Sequence, residues 1–393
     1  MNYKETEIGL IPIDWELMTI NDIKANVKNA IAMGPFGSNI KSENFVSTGV
    51  PVIRGINLGS GKLKEEEFVF LTEEKSKELK ASLCKRKDIV ITHRGTLGQV
   101  GIIPENSKYE KYIISQSGMK LTCDEEKVNP YYIYYFLNSP IGQYILLRNT
   151  SQTGVPAISQ PTTSLKSLTI PIPTLTEQTR IVEFLTSLDD KIDLNNQMNQ
   201  TLEKIANTIF KHWFIDFEFP NSEGKPYRSS GGEMKNSELS EIPKDWRVSR
   251  LGEIMELVYG KPLKASDRNN GVYPVLGSNG IIGYHNEYLL EGPGIVVGRK
   301  GSMGEINWVF DNFYPIDTTF YVKSITDIKH LYFHYFLLLM QDFKKISSDS
   351  AVPGLNRNEA YRNEIIVPDY EVINRFNELV KPLFNLIHFN IKQ

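Results

Sequence analysis

Residues 174–217 read TLTEQTRIVEFLTSLDDKIDLNNQMNQTLEKIANTIFKHWFIDF. The stretch opens as a capping box, with Thr174 as N-cap and Glu177 as the carboxylate three residues on. Pro173 precedes the cap, where it cannot interrupt a helix. Ile181, Leu185, Leu188, Ile192, Asn195, Asn199, Leu202, Ala206, Ile209 and Trp213 then follow in alternating steps of four and three. That is a coiled-coil seam, apolar at its ends and polar in the middle. About forty residues at about 1.5 Å each make a rod of roughly 60 Å, and such a rod needs a partner to cover its seam.

The partner lies at the other end of the chain. Ile373, Phe376, Val380, Leu383 and Ile387 take the same steps, so residues 370–393 are expected to form a shorter helix that pairs antiparallel with the rod. Aligned as a repeat, 195 residues apart, Gln393 corresponds to Met198. The expectation is therefore that the second helix covers the half of the seam before Asn199. Leu202, Ile209 and Trp213, with the polar Asn195 and Asn199, would then be left as a dock for another subunit. A second helix that stops early would also weaken docking at that end or call for self-association.

The helices punctuate an internal repeat. IPIDW at Ile11 answers IPKDW at Ile242, 231 residues on, and IVITHRGTLG at Ile89 answers IVVGRKGSMG at Ile295, 206 on. YYIYYFL at Tyr131 answers LYFHYFL at Leu331, VPAI at Val155 answers VPGL at Val352, and Ile172-Pro173 answers Val367-Pro368. The spacing falls steadily and the order is kept, as in two copies of one unit of which the second has shorter loops. Short strands (around Val50, Asp88 and Leu168) and an Asn129-Pro130 helix start place each copy in the α/β class. The fold class is thus α+β: two similar α/β domains separated by an antiparallel coiled-coil pair of long helices, with an internal pseudo-twofold repeat. The expected divisions are a first domain over 1–173, the central helix over 174–217, a Gly/Ser/Pro-rich linker over 218–241, a second domain over 242–369 and the C-terminal helix over 370–393.

Composition narrows the function classes. The chain has 393 residues, 40% hydrophobic and 23% charged, enough for two or three ordinary domains. It has no apolar run long enough to span a membrane, and its first residues lack a signal-peptide pattern. Cys84 and Cys123 give no disulfide framework, the six histidines give no zinc spacing, and a cytoplasmic setting is the default. A net charge of −3 provides no global attraction to nucleic acid, so any such binding must come from local basic loops.

Two like heads on a rigid spacer suit a long, regular ligand read at two points. Duplex DNA, whose half-sites about 34 Å apart share one face, is the leading candidate. The loops carry suitable chemistry. GPFGSN offers Gly34, Phe36 and Ser38; Arg54 and Asn57 follow a strand; HRGTLG contains His93, Arg94 and Thr96; and Thr153 lies in a later loop. The second copy offers Lys261, Ser278, Asn279, Arg299, Lys300, Ser302 and Ser350. Glycine lets a backbone approach a phosphate, and arginine can address guanine bidentately. A lone Gly-x-x-Gly turn is ordinarily just a hairpin turn; its recurrence beside basic residues in both copies makes it a candidate. The aromatic helix from Tyr131 is expected to be core, and Asn195 and Asn199 to set register within the seam.

Catalytic motifs fail. GSGK at Gly59 lacks the preceding Gly and the following Ser/Thr of a phosphate loop. NPYY at Asn129 departs from the adenine-methyltransferase tetrapeptide at its third residue, and Pro368-Asp369 has no nuclease partner motif.

HWFIDFEFP from His212, GKPYRSSGGEM from Gly224 and SELSEIPKDW from Ser237, with EQTRIVEFLTSLDDKID at Glu177, resemble the specificity subunit of type I restriction–modification systems over essentially the whole chain. The resemblance implies two target-recognition domains, each reading half of a bipartite double-stranded DNA site. It also implies helices that set the gap and dock two modification (methyltransferase) subunits, and further restriction (endonuclease/translocase) subunits. S-adenosylmethionine, ATP and Mg2+ would be bound by those partners and none by this chain, which would catalyse nothing alone. The competing readings are a two-headed protein scaffold and a self-sufficient DNA methyltransferase or nuclease.

Overall fold

In a computed structural model, the protein is described over residues 2–36, 39–59, 63–151, 154–326, 328, 330–346 and 354–393. It divides into two compact units, Met1–Lys191 and Ile192–Gln393, with the division falling inside one long helix, Leu175–Phe214. The capping box is formed: the Thr174 amide donates to Glu177 Oε2 at 3.1 Å, and the Glu177 amide donates to Thr174 Oγ1 at 3.3 Å.

The first unit holds two four-stranded sheets. One runs in the order Ile31–Met33, Gly118–Leu121, Ile89–Thr92, Val100–Ile102. The other runs Val69–Leu71, Val50–Ile53, Lys111–Ile114, Leu83–Lys85, with its central pair parallel. The second unit repeats the first sheet as Met255–Tyr259, Thr319–Ser324, Gly294–Gly298, Ile306–Val309. Its other sheet keeps the parallel pair, Tyr273–Gly277 with Tyr314–Pro315. The repeat read from scattered motifs is therefore a repeat of topology. In each unit an early strand also pairs with the strand that precedes a seam helix: Glu16–Thr19 with Thr169–Ile172, and Arg247–Arg250 with Glu364–Val367.

The cores follow from the sequence pattern. Central strands are buried on both faces, as the unbroken apolar runs Ile89–Thr92 and Gly294–Gly298 require. Asn129 caps the helix Pro130–Asn138, accepting from the Tyr131 amide at 3.0 Å, and buries Tyr132, Ile133, Tyr134 and Leu137 as core.

The seam helices pair antiparallel within the second unit, but over a different stretch from the one expected. Phe376, near the start of the C-terminal helix Tyr370–Lys392, packs on Phe210 and Trp213 with ring centres 5.8 and 6.0 Å apart. Near its end, the Asn390 amide donates to Asn199 Oδ1 at 2.9 Å and the Asn390 carbonyl accepts from Asn195 Nδ2 at 3.2 Å. Position falls along one helix as it rises along the other, so the covered half is the one from Asn195 onward. Leu202, Ala206, Phe210 and Trp213 are buried, and Ile209 packs against the core that holds the last three. Phe184, Leu188 and Ile192 are 64%, 46% and 56% exposed. The expected dock at Leu202, Ile209 and Trp213 is therefore corrected to a core, and Asn195 and Asn199 serve the helix pair. The physical reason is direction. A repeat aligns the two helices start to start, whereas an antiparallel pair brings the start of one to the end of the other.

The stretch 218–241 is likewise no loose linker. Phe219 stacks between Tyr227 and Trp246 at 4.6 and 4.9 Å, and Met234–Asn236 pairs with Glu241–Pro243. Three aromatic rings bury too much apolar surface for a free tether.

Candidate nucleic-acid interface

The candidate residues converge because they follow strands that end together. In the first unit, Gly34 ends one strand, Arg54 ends Val50–Ile53, and His93 and Arg94 end Ile89–Thr92. Backbone bonds tie these ends: Gly34 N–H to the Gly118 carbonyl, Ser115 N–H to Ile53, and His93 N–H to Ser117, each at 2.9 Å. The second unit copies the web with Gly260 N–H to Thr319 at 3.1 Å, Ile316 N–H to Leu276 at 3.0 Å and Arg299 N–H to Thr318 at 2.9 Å. Arg94 bridges Ala157, and Lys300 bridges Gly354, so each basic turn is held to its following loop at the same place.

The recurrent turns are β-hairpin connections, Ile89–Thr92 to Val100–Ile102 and Gly294–Gly298 to Ile306–Val309. Gly95 and Gly301 have φ of +82° and +79°, the left-handed region that favours glycine, and a Cβ on either would meet nothing within 4 Å. Arg94, Gly95 and Thr96 are exposed, as are Lys300, Gly301 and Ser302. The second glycines, Gly98 and Gly304, share the conformation but pack on Leu147 and Phe343. One glycine of each turn therefore faces open space while the other anchors it.

Other candidates prove to be scaffold. A Cβ on Gly34 would lie 1.8 Å from the Ser115 carbonyl oxygen, so this glycine is required by packing. Asn57 is 1% exposed; it accepts from the Arg54 amide at 3.0 Å and donates to the Glu66 carbonyl at 2.8 Å. Arg54 Nη2 donates to the Glu67 carbonyl at 2.8 Å, pinning its guanidinium to a neighbouring loop. His93 is buried, and desolvation holds its imidazole below its usual pKa, with the Gln116 backbone offsetting only part. Ser278 is buried and donates to the Thr318 carbonyl at 2.6 Å. These polar side chains satisfy backbone groups that the strand ends leave unpaired. Phe36, Lys261 and Asn279 are exposed at the same ends. Ser38, Thr153 and Ser350 lie outside the described residues.

Arg299 is half-buried and does more than line the turn. Its Nη1 donates to the Asp317 carbonyl at 3.1 Å, and its guanidinium lies 4.8 Å from the centre of the Tyr259 ring. Arg357, absent from the candidates drawn from the sequence, lies 4.9 Å from the same ring and donates to the Leu257 carbonyl at 3.2 Å. With Lys300 and Asn356 these residues line a cleft of about 430 Å³. Among the described residues, no carboxylate lies within ion-pair distance of Arg94, Lys261, Arg299, Lys300 or Arg357. Two guanidiniums fixed on one aromatic ring and an exposed lysine form a preorganised anion site, suited to phosphate or to base edges. Tyr259-Gly260 and Met33-Gly34 occupy the same position in the repeat, which a glycine pair 226 residues apart signals in the sequence. Among the described residues, no group of three or more His, Cys, Asp and Glu is placed to hold a metal ion, and no helix is long and apolar enough to cross a membrane.

Comparison with known proteins identifies the family of the repeat. The family described as "Type I restriction modification DNA specificity domain" matches residues 12–204 and 243–389, one match per copy of the repeat. The MjaIX specificity subunit of Methanocaldococcus jannaschii is 27% identical, over 100% of this chain and 91% of its own length. The HindI specificity subunit of Haemophilus influenzae is 23% identical, over 94% and 93%. The crystal structure of the S subunit from M. genitalium shares the fold, with a TM-score of 0.56 at 18% identity over 97% of this chain and 92% of that one. The chain belongs to the type I restriction–modification DNA specificity family.

Proposed function

We propose that each unit reads one half of a bipartite double-stranded DNA site through the loops at its strand ends, and that the seam helices set the gap. The observation that carries this reading is the recurrence, in both units, of an exposed basic residue beside an open left-handed glycine: Arg94-Gly95 and Lys300-Gly301. A backbone without a Cβ and a cation beside it can approach a phosphate closely. The chain would direct two modification subunits, which bind S-adenosylmethionine and methylate adenine, while restriction subunits use ATP and Mg2+. On this reading the chain works in the cytoplasm and performs no chemistry by itself.

The test is binding of the chain with its modification subunit to duplexes in which one half-site at a time is scrambled, across a salt series. Each scramble should weaken binding, and the logarithm of affinity should fall linearly with that of salt. Methyl transfer or cleavage by the purified chain alone would overturn the reading, as would binding indifferent to both scrambles.

A further inference from the structure

A groove of about 980 Å³ runs along the first unit, between the face of the long helix around Leu175, Val182 and Glu183 and the turns after Ile102 and Val128. Its rim carries Glu105, Glu125, Glu183 and Asp190 against one lysine, Lys87. Lys87 is already shared between Glu105 and Glu125, at 2.6 and 2.7 Å. Among the described residues no cation lies within ion-pair distance of Glu183.

The repeat shows what such a groove takes. At the corresponding place in the second unit the same carboxylate positions recur: Asp311 answers Glu105, 206 residues on, and Glu378 answers Glu183, 195 on. There the chain supplies its own cations and rings. Lys392 and His388 reach Asp311 at 2.8 and 3.2 Å, and His330 reaches Glu378 at 3.4 Å, with Lys381 at 4.0 Å. Phe310 stacks on His388 at 4.8 Å, and Phe384 packs on Trp308 at 5.0 Å. In the first unit Pro104 stands for Phe310, Pro130 for His330 and Thr186 for Lys381. In the first groove Lys87 answers Glu105 and Glu125, whereas Glu183 lacks the histidine and lysine that answer Glu378.

We infer that the first groove is a docking site for a basic, aromatic-bearing segment of a modification subunit. The inference rests on the functional reading above. Charge complementarity selects the occupant: an acidic, partly apolar trough favours lysine or arginine with a ring beside it. The second groove, filled from within, takes no such segment. The two modification subunits therefore meet chemically different surfaces on this chain.

Three chains, assembled with the modification subunit and weighed by native mass spectrometry across a concentration series, test this. They are the unaltered chain, Glu183→Lys with Asp190→Lys, and Thr186→Lys, which places a cation beside Glu183 as Lys381 lies beside Glu378. The unaltered chain should bind two modification subunits. Both variants should lose one of them at concentrations where the other stays, with at least a tenfold loss of affinity. Glu183 and Asp190 are exposed, Thr186 is half-buried with its hydroxyl 3.2 Å from that of Tyr135, and an unchanged thermal transition checks the fold. Two subunits bound with unaltered affinity in both variants would overturn the groove assignment and leave the functional reading intact. No complex with the unaltered chain would overturn both.

Discussion

The guanidinium of Arg357 lies 4.9 Å from the centre of the Tyr259 ring, and this contact fixes a cation at the end of the strand Met255–Tyr259. Arg299 uses the same ring. Tyr259→Ala should therefore release both arginines and weaken DNA binding more than loss of either one. Tyr259→Phe keeps the ring and should bind nearly as the unaltered chain does. Arg357→Ala should lower the salt slope of binding by about 1, as expected for one phosphate contact. An unchanged slope in a fluorescence titration would remove Arg357 from the interface.

The glycines of the first unit make a paired prediction. Gly95→Ala adds a methyl to open space and should cost about 1–2 kcal/mol from its left-handed backbone alone. Its larger effect should fall on DNA affinity, through the first half-site only. Gly34→Ala forces a Cβ to within 1.8 Å of the Ser115 carbonyl oxygen, so it should destabilise the whole unit. Chemical denaturation together with half-site binding separates the two outcomes.

The helix pair should fail where its buried groups lose partners. Asn390→Ala keeps the backbone carbonyl that accepts from Asn195 but deletes the side-chain amide that donates to Asn199 Oδ1, and should cost about 1 kcal/mol. Phe376→Ala empties a site among Phe210, Trp213, Phe214 and Phe336, and should cost about 3–5 kcal/mol. Calorimetry should place both losses in the transition of the second unit.

His334 supplies a pH dependence. It is fully buried in the helix Tyr332–Leu339, and desolvation pushes its pKa down to about 4. The unfolded chain, with an ordinary imidazole, takes up a proton at higher pH than the folded one. Stability is therefore lost as pH falls from about 6.5 to about 4, by roughly 3 kcal/mol in all, and no further below that. His334→Leu should flatten this part of the profile measured by denaturant titration.

Periodicity and order made the long helix, its capping box and the repeat legible in the sequence, because each depends on neighbours close along the chain or on preserved spacing. Which half of the seam is covered was not legible that way. It depends on strand-like directionality between two distant helices, which the Asn195–Asn390 and Trp213–Phe376 contacts settle. Asn57 and Ser278 look like ligand-reading loop residues by type, yet each is consumed by backbone groups at a strand end. Arg357 was missed because its residue type alone does not mark it. Its role comes from Tyr259, almost a hundred residues away, although its place just after the recurrent Val-Pro loop was a signal.

The most direct measurement is a map of methylated bases in the DNA of cells that carry this chain with its modification subunit. The account predicts methylated adenine in a bipartite motif, two specified blocks with a gap of fixed length. Arg94→Ala should relax or abolish one block, and Arg299→Ala with Arg357→Ala the other. A continuous motif, or methylation that does not depend on this chain, would contradict it.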